Sequence, residues 1–90
     1  MKYTFNFKSR YKIVNIEPHN KVMRYIHFQD LGKECEMIHV YPESATIKVY
    51  YEDGTWSYLH TSWIENTIGN ETTPTFIIVT HNTTYTLEKI

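Results

Sequence analysis

The chain has 90 residues, 41% hydrophobic and 16% aromatic, with nine basic and ten acidic side chains for a formal net charge of −1. That length allows one domain with a modest core, and its one cysteine, Cys35, excludes an internal disulfide framework or a cysteine-pair zinc site. No run is long and apolar enough to act as a signal peptide or span a bilayer, so the expectation is a cytoplasmic protein in a reducing compartment.

Strand formers dominate the composition. There are 12 Thr, 10 Ile, 8 Tyr and 5 Val against 3 Leu and 1 Ala, a bias away from helix and toward pleated sheet. It predicts an all-β or β-rich α+β fold, drawn as a small antiparallel barrel or sandwich of seven or eight strands. Phe, Tyr, Met, Ile, Asn and Lys far outnumber Gly, Ala, Arg and Pro, a skew that resembles proteins of low-GC bacteria, their phages and plasmids. Charge is unevenly spread. Residues 1–24 carry Lys2, Lys8, Arg10, Lys12, Lys21 and Arg24 against Glu17, for +5, and residues 25–90 carry −6.

In chain order, Lys2 to Lys8 alternates Tyr3, Phe5 and Phe7 with polar residues, the pattern of a half-buried strand. Tyr11 to Glu17 forms a second strand whose apolar phase changes after Ile13, which calls for a bulge there. Pro18 ends it. Val22 to Gln29 reads two ways: a helix capped by Asn20 and ending at Gly32, or, the preferred reading, a strand. As a strand it pairs with Glu34 to Tyr41, setting Ile26 opposite Met37, His27 opposite Glu36 and Phe28 opposite Cys35.

After a turn at Pro42-Glu43-Ser44, residues 45–65 give the clearest local pattern. Asp53-Gly54 separates two strand-like runs and favours a two-residue type I′ turn. That register places Tyr51 opposite Trp56, Val49 opposite Tyr58 and Ile47 opposite His60, with all six on the core face. Thr61 to Glu65 breaks the alternation; a helical turn near 61–66 is expected, with Ser62 and Glu65 at capping-box spacing and Trp63 or Ile64 plugging the barrel end. Strand, Asp-Gly turn, strand and short helical turn with Ser-Trp-Ile resemble small SH3-like or Tudor-like barrels; the resemblance covers about 20 residues and implies a fold without implying functional residues. Thr67 to Thr75 reads as a loop. Thr75–Thr80 and Thr83–Glu88 make a last hairpin around His81-Asn82, with Phe76, Ile78, Tyr85 and Leu87 on one face.

No P-loop, GxGxxG, GxSxG, HExxH or finger spacing occurs, so no cofactor or metal is expected. Cys35 lies between Glu34 and Glu36, where neighbouring carboxylates disfavour a thiolate, and it reads as a buried apolar residue. His19 and His81 fall in turns. The aromatic residues left outside the assigned core give the best contact patch: Tyr41, Tyr50 and Trp63 with Lys48. The favoured function is therefore a non-enzymatic binding protein, of the kind a phage or mobile element encodes to inhibit a host enzyme or defence complex, acting on a protein partner through an aromatic-rich sheet surface. A homodimer is a further expectation. One alternative is a nucleic-acid-binding small barrel using Lys8, Arg10, Tyr11 and Lys12. The other is a small hydrolase or nuclease using His27, Glu36 and His60.

Overall fold

The structure, a computed structural model, describes residues 9–19, 30–40, 44–61, 63–70 and 72–90. Among the described residues seven strands make up a curled, half-barrel sheet: β1 (Arg10–Pro18), β2 (Glu34–Val40), β3 (Ala45–Tyr50), β4 (Trp56–His60), β5 (Ile64–Ile68), β6 (Thr75–Thr80) and β7 (Thr83–Lys89). The order across the sheet is β4-β3-β2-β1-β7-β6-β5 and every pairing is antiparallel. Two three-stranded meanders thus flank β1. Thr61 to Trp63 links β4 to β5, the two outermost strands, so the sheet curls enough for a three-residue link to span from one edge to the other. The expected all-β antiparallel fold is found, and of the barrel and sandwich forms expected for it the half-barrel sheet is consistent with the small barrel.

The concave side holds the core: Tyr11, Ile13 and Ile16 from β1, Cys35 from β2, Ala45, Ile47 and Val49 from β3, Leu59 from β4, Phe76 and Ile78 from β6, and Tyr85 and Leu87 from β7. Burying each large apolar side chain contributes about 1.5–3 kcal/mol. The bulge expected after Ile13 is present, since Ile13 pairs with Leu87 and Asn15 with Thr86. It turns Val14 outward and lets Ile13 and Ile16 both face inward. The β6–β7 hairpin also matches expectation, with Phe76 opposite Leu87 and Ile78 opposite Tyr85, all buried. Its two-residue turn closes without a positive φ. The Thr80 hydroxyl donates to Thr83 O at 2.7 Å and accepts from Thr83 N at 3.0 Å.

Four expectations are corrected. Asp53-Gly54 does not make a type I′ turn, because among the described residues no non-glycine, Asp53 included, has a positive φ. Instead Glu52-Asp53-Gly54 forms a three-residue loop: Gly54 N donates to Tyr51 O at 3.1 Å, Tyr51 N donates to Thr55 O at 2.9 Å, and Gly54 alone is left-handed at φ +88°. This is a type I turn followed by a glycine bulge. Asp53 avoids the left-handed region and accepts from Thr55 N at 3.0 Å and Thr55 Oγ1 at 2.6 Å. These bonds hold the Asp53 carboxyl below its usual range.

The extra loop residue moves the register by one and exchanges the faces of β4. Tyr50 now faces Trp56, Lys48 faces Tyr58, Ile47 faces Leu59 and Thr46 faces His60. Ile47 and Val49 remain in the core as expected, but Trp56, Tyr58 and His60 stand on the convex side and Leu59 takes the inner place.

The helical turn expected near 61–66 is instead the start of β5, and Ile64 packs against the core while Trp63 is exposed. Consequently the loop begins at Gly69 rather than Thr67. There φ is +96° and an added Cβ would lie 2.5 Å from Thr75 O, so only glycine fits.

Finally, Cys35 is flanked by Tyr11 and Val49 and Glu36 by Arg10 and Lys48, which fills both ladder sides of these residues and leaves no place there for Phe28 or His27. The expected strand or helix at 20–29, the strand at Lys2 to Lys8, and the cap at Ser62 lie outside the described residues.

Candidate functional site

Strand alternation builds the convex face of β2–β4 row by row. One row across the sheet reads Trp56, Tyr50, Glu34, Lys12; the next reads Tyr58, Lys48, Glu36, Arg10. Strands lie about 4.8 Å apart, so long side chains of one row reach those of the next, mostly on the diagonal. Lys48 Nζ sits 4.4 Å from the Trp56 ring centre and 5.2 Å from that of Tyr50. Arg10 covers Tyr50 at 4.1 Å and also meets Glu34 at 3.5 Å. The Tyr50 hydroxyl donates to Glu36 Oε1. Along β4, Trp56 and Tyr58 meet edge to face with centres 5.1 Å apart, and Tyr58 lies 6.3 Å from His60. Thr46 Oγ1 and His60 Nδ1 are 3.2 Å apart.

The result is a lattice of rings and cations in which Arg10 and Lys48 lie against π faces and Arg10 also meets a carboxylate. Trp56 and Tyr58 are 51% and 49% exposed, an uncommon cost for two large rings unless they serve contact.

The predicted contact residues fall unevenly. Lys48 and Tyr50 are in the middle of this lattice. Trp63 is 65% exposed but stands beyond the end of β4, at the entry to β5. Tyr41 lies outside the described residues. The residues missed by sequence reasoning are Trp56 and Tyr58, which were assigned to the core. Their signal was the alternative reading of Asp-Gly as the end of a three-residue loop.

Of the nucleic-acid candidates, Arg10 and Lys12 are exposed on the convex face, Lys8 is outside the described residues, and Tyr11 is corrected: it is fully buried and offers no ring for stacking. Of the hydrolase candidates, His27 is outside the described residues. Glu36 and His60 share a face but belong to β2 and β4, with β3 between them. That separation is about two strand spacings, beyond proton-transfer range.

Beside the lattice an open cleft of about 410 Å³ is lined by Lys12, Lys33, Glu34, Tyr50, Tyr51 and Glu52 among others. Lys33 Nζ meets Glu52 Oε1 at 3.0 Å, and the Tyr51 hydroxyl donates to the buried Asp30 at 2.8 Å. Burial and then the Asp30 carboxylate push the Tyr51 hydroxyl above its ordinary value. Burial also pushes the Cys35 thiol up to about 12, so it is neutral at physiological pH and no nucleophile. His19 and His81 are exposed in turns, as expected. Among the described residues no cluster of three His, Cys, Asp or Glu is placed to hold a metal ion, and no helix is long and apolar enough to cross a membrane. Comparison with protein-family models, curated proteins and solved structures finds no match to this chain.

Proposed function

We propose that this chain is a small binding protein, not an enzyme, that engages a protein partner through the convex face of β2–β4. The observation that carries the reading is the pair of half-exposed rings, Trp56 and Tyr58, lying side by side next to Lys48 and Tyr50. Tryptophan, tyrosine and arginine are the residues that dominate protein interface energetics. Rings already held by neighbours lose little rotamer freedom on binding, which favours affinity. Local charge also supports a protein partner. Arg10, Lys12 and Lys48 alternate with Glu34, Glu36 and Glu88, so the face lacks the single-sign field that phosphate backbones require. Inhibition of a host enzyme or defence complex by a phage or mobile-element product needs only such a shaped surface. That role and a cytoplasmic location belong to the same proposal and rest on composition.

The test is capture from cells of the source with Trp56→Ala and Tyr58→Ala as controls. The reading expects a defined protein retained after nuclease treatment, little changed by salt, and lost from both variants. Capture that collapses with nuclease or rising salt would instead support single-stranded nucleic acid, for which rings beside Lys48 and Arg10 are also suited.

A further inference from the structure

We propose that β4 is the seam of a symmetric dimer in which the open edges of two copies pair antiparallel about a two-fold axis at Tyr58. The inference goes beyond the binding reading above and depends on backbone geometry, not on any foreign partner.

The hydrogen-bond phase of the β3–β4 ladder decides which groups are open. Tyr51 N donates to Thr55 O and Thr61 N donates to Ala45 O. In an antiparallel ladder, bonded positions alternate. Residues 55, 57, 59 and 61 therefore turn their backbone groups toward β3, and Trp56, Tyr58 and His60 turn theirs away from it. As β4 ends the sheet, no described strand meets that outward row.

Edge strands are normally guarded against such pairing by lysine, proline, inward charge or a bulge. Residues 55–61, TWSYLHT, hold no Lys, Arg, Asp, Glu or Pro, and the β3–β4 register runs without a shift. The opposite edge is different: β5 carries Glu65 and has a register shift between Ile64 and Asn66. One edge is guarded and the other is not.

The unguarded row is also self-complementary. A two-fold axis at Tyr58 sets Tyr58 against its own copy and Trp56 against His60 of the other copy. Every facing position then has its donor and acceptor outward, and no like charges meet. The side chains of Trp56, Tyr58 and His60 would continue as one aromatic stripe across both convex faces, since paired strands keep their faces.

Sedimentation and amide exchange test this across micromolar to millimolar concentration. The wild-type chain is expected to dimerise, with the amides of Trp56, Tyr58 and His60 becoming slow to exchange as the dimer forms. Tyr58→Pro removes an outward donor without touching the β3 ladder and should be monomeric, whereas Tyr58→Ala keeps the donor and should still dimerise. Should the proline variant fail to fold, a charge swap replaces it. Tyr58→Lys and Tyr58→Glu should each weaken self-association at least tenfold, and an equimolar mixture should restore it. A wild-type chain that stays monomeric throughout, or a dimer that survives Tyr58→Pro or both charge variants, overturns the proposal.

Discussion

The two hairpins β3–β4 and β6–β7 are built from similar material and behave differently. Both alternate β-branched and aromatic residues around a short polar turn. In β6–β7 both strands bury their apolar face completely, whereas in β4 only Leu59 is buried and two large rings face outward. The cause is one residue of loop length. His81-Asn82 makes a two-residue turn locked by Thr80 and Thr83, while Glu52-Asp53-Gly54 makes a three-residue turn locked by Asp53 and Thr55. Hydrophobicity alone would turn β4 the other way. That turn chemistry overrides it here fits the contact role proposed for this face, because local preference fails mainly at functional positions.

The contrast is sharpest under truncation. Phe76→Ala should destabilise the fold by about 3–5 kcal/mol in urea unfolding, because it leaves a cavity in a fully buried site. Raising pH attacks the same core from beneath the convex lattice. The Cys35 thiol is raised by burial from 9.0 to about 12, so its stabilising contribution is intact below pH 9 and drains away as pH climbs from 9 toward 12. Alkaline unfolding should weaken in Cys35→Ala, and folded protein near neutral pH should resist alkylation of this thiol; rapid labelling there would contradict its burial. At the turns, Thr80→Val should cost about 1–3 kcal/mol by removing two buried hydrogen bonds. Gly54→Ala should cost about 1–2 kcal/mol from left-handed strain alone, since nothing lies within 4 Å of the added Cβ. The smallest effect should come from Trp56→Ala, about 0.5–1 kcal/mol, from loss of its contacts with Tyr58 and Lys48 at a half-exposed site. Native tryptophan emission should also lie close to that of the unfolded chain and be readily quenched by iodide. A blue-shifted, shielded emission would mean that the β4 register is the other one.

What could be read from residues alone follows the range of the interaction. The β6–β7 hairpin and the inner face of β3 are set by neighbours close in sequence, and the bulge after Ile13, though its partners are distant, leaves a local break in the apolar phase; all were legible. Which residues flank Cys35 was not, because Tyr11 reaches it from 24 positions away and no local pattern records that pairing. Strand β5 was divided between an expected helical turn and an expected loop for a definite reason: Ser62 and Glu65 stand at capping-box spacing, and an edge strand of five residues offers little alternation to oppose it. Lys48 and Tyr50 were correctly set on the outer face. Trp56 and Tyr58 were not, since the misassignment of one turn inverted their strand.

The central place of β1 has a consequence for biosynthesis. Its partner along nearly its whole length is β7, which follows by between 65 residues (Pro18 to Thr83) and 78 residues (Tyr11 to Lys89). A chain emerging from the ribosome therefore exposes the apolar side of β1 until β7 has been made. Ile13 and Ile16 wait for Leu87 and Tyr85, and contacts this distant in sequence fold slowly. During that interval the stretch around Ile13 lacks its final cover, and transiently exposed apolar surface of this kind is where a folding chain is most open to aggregation.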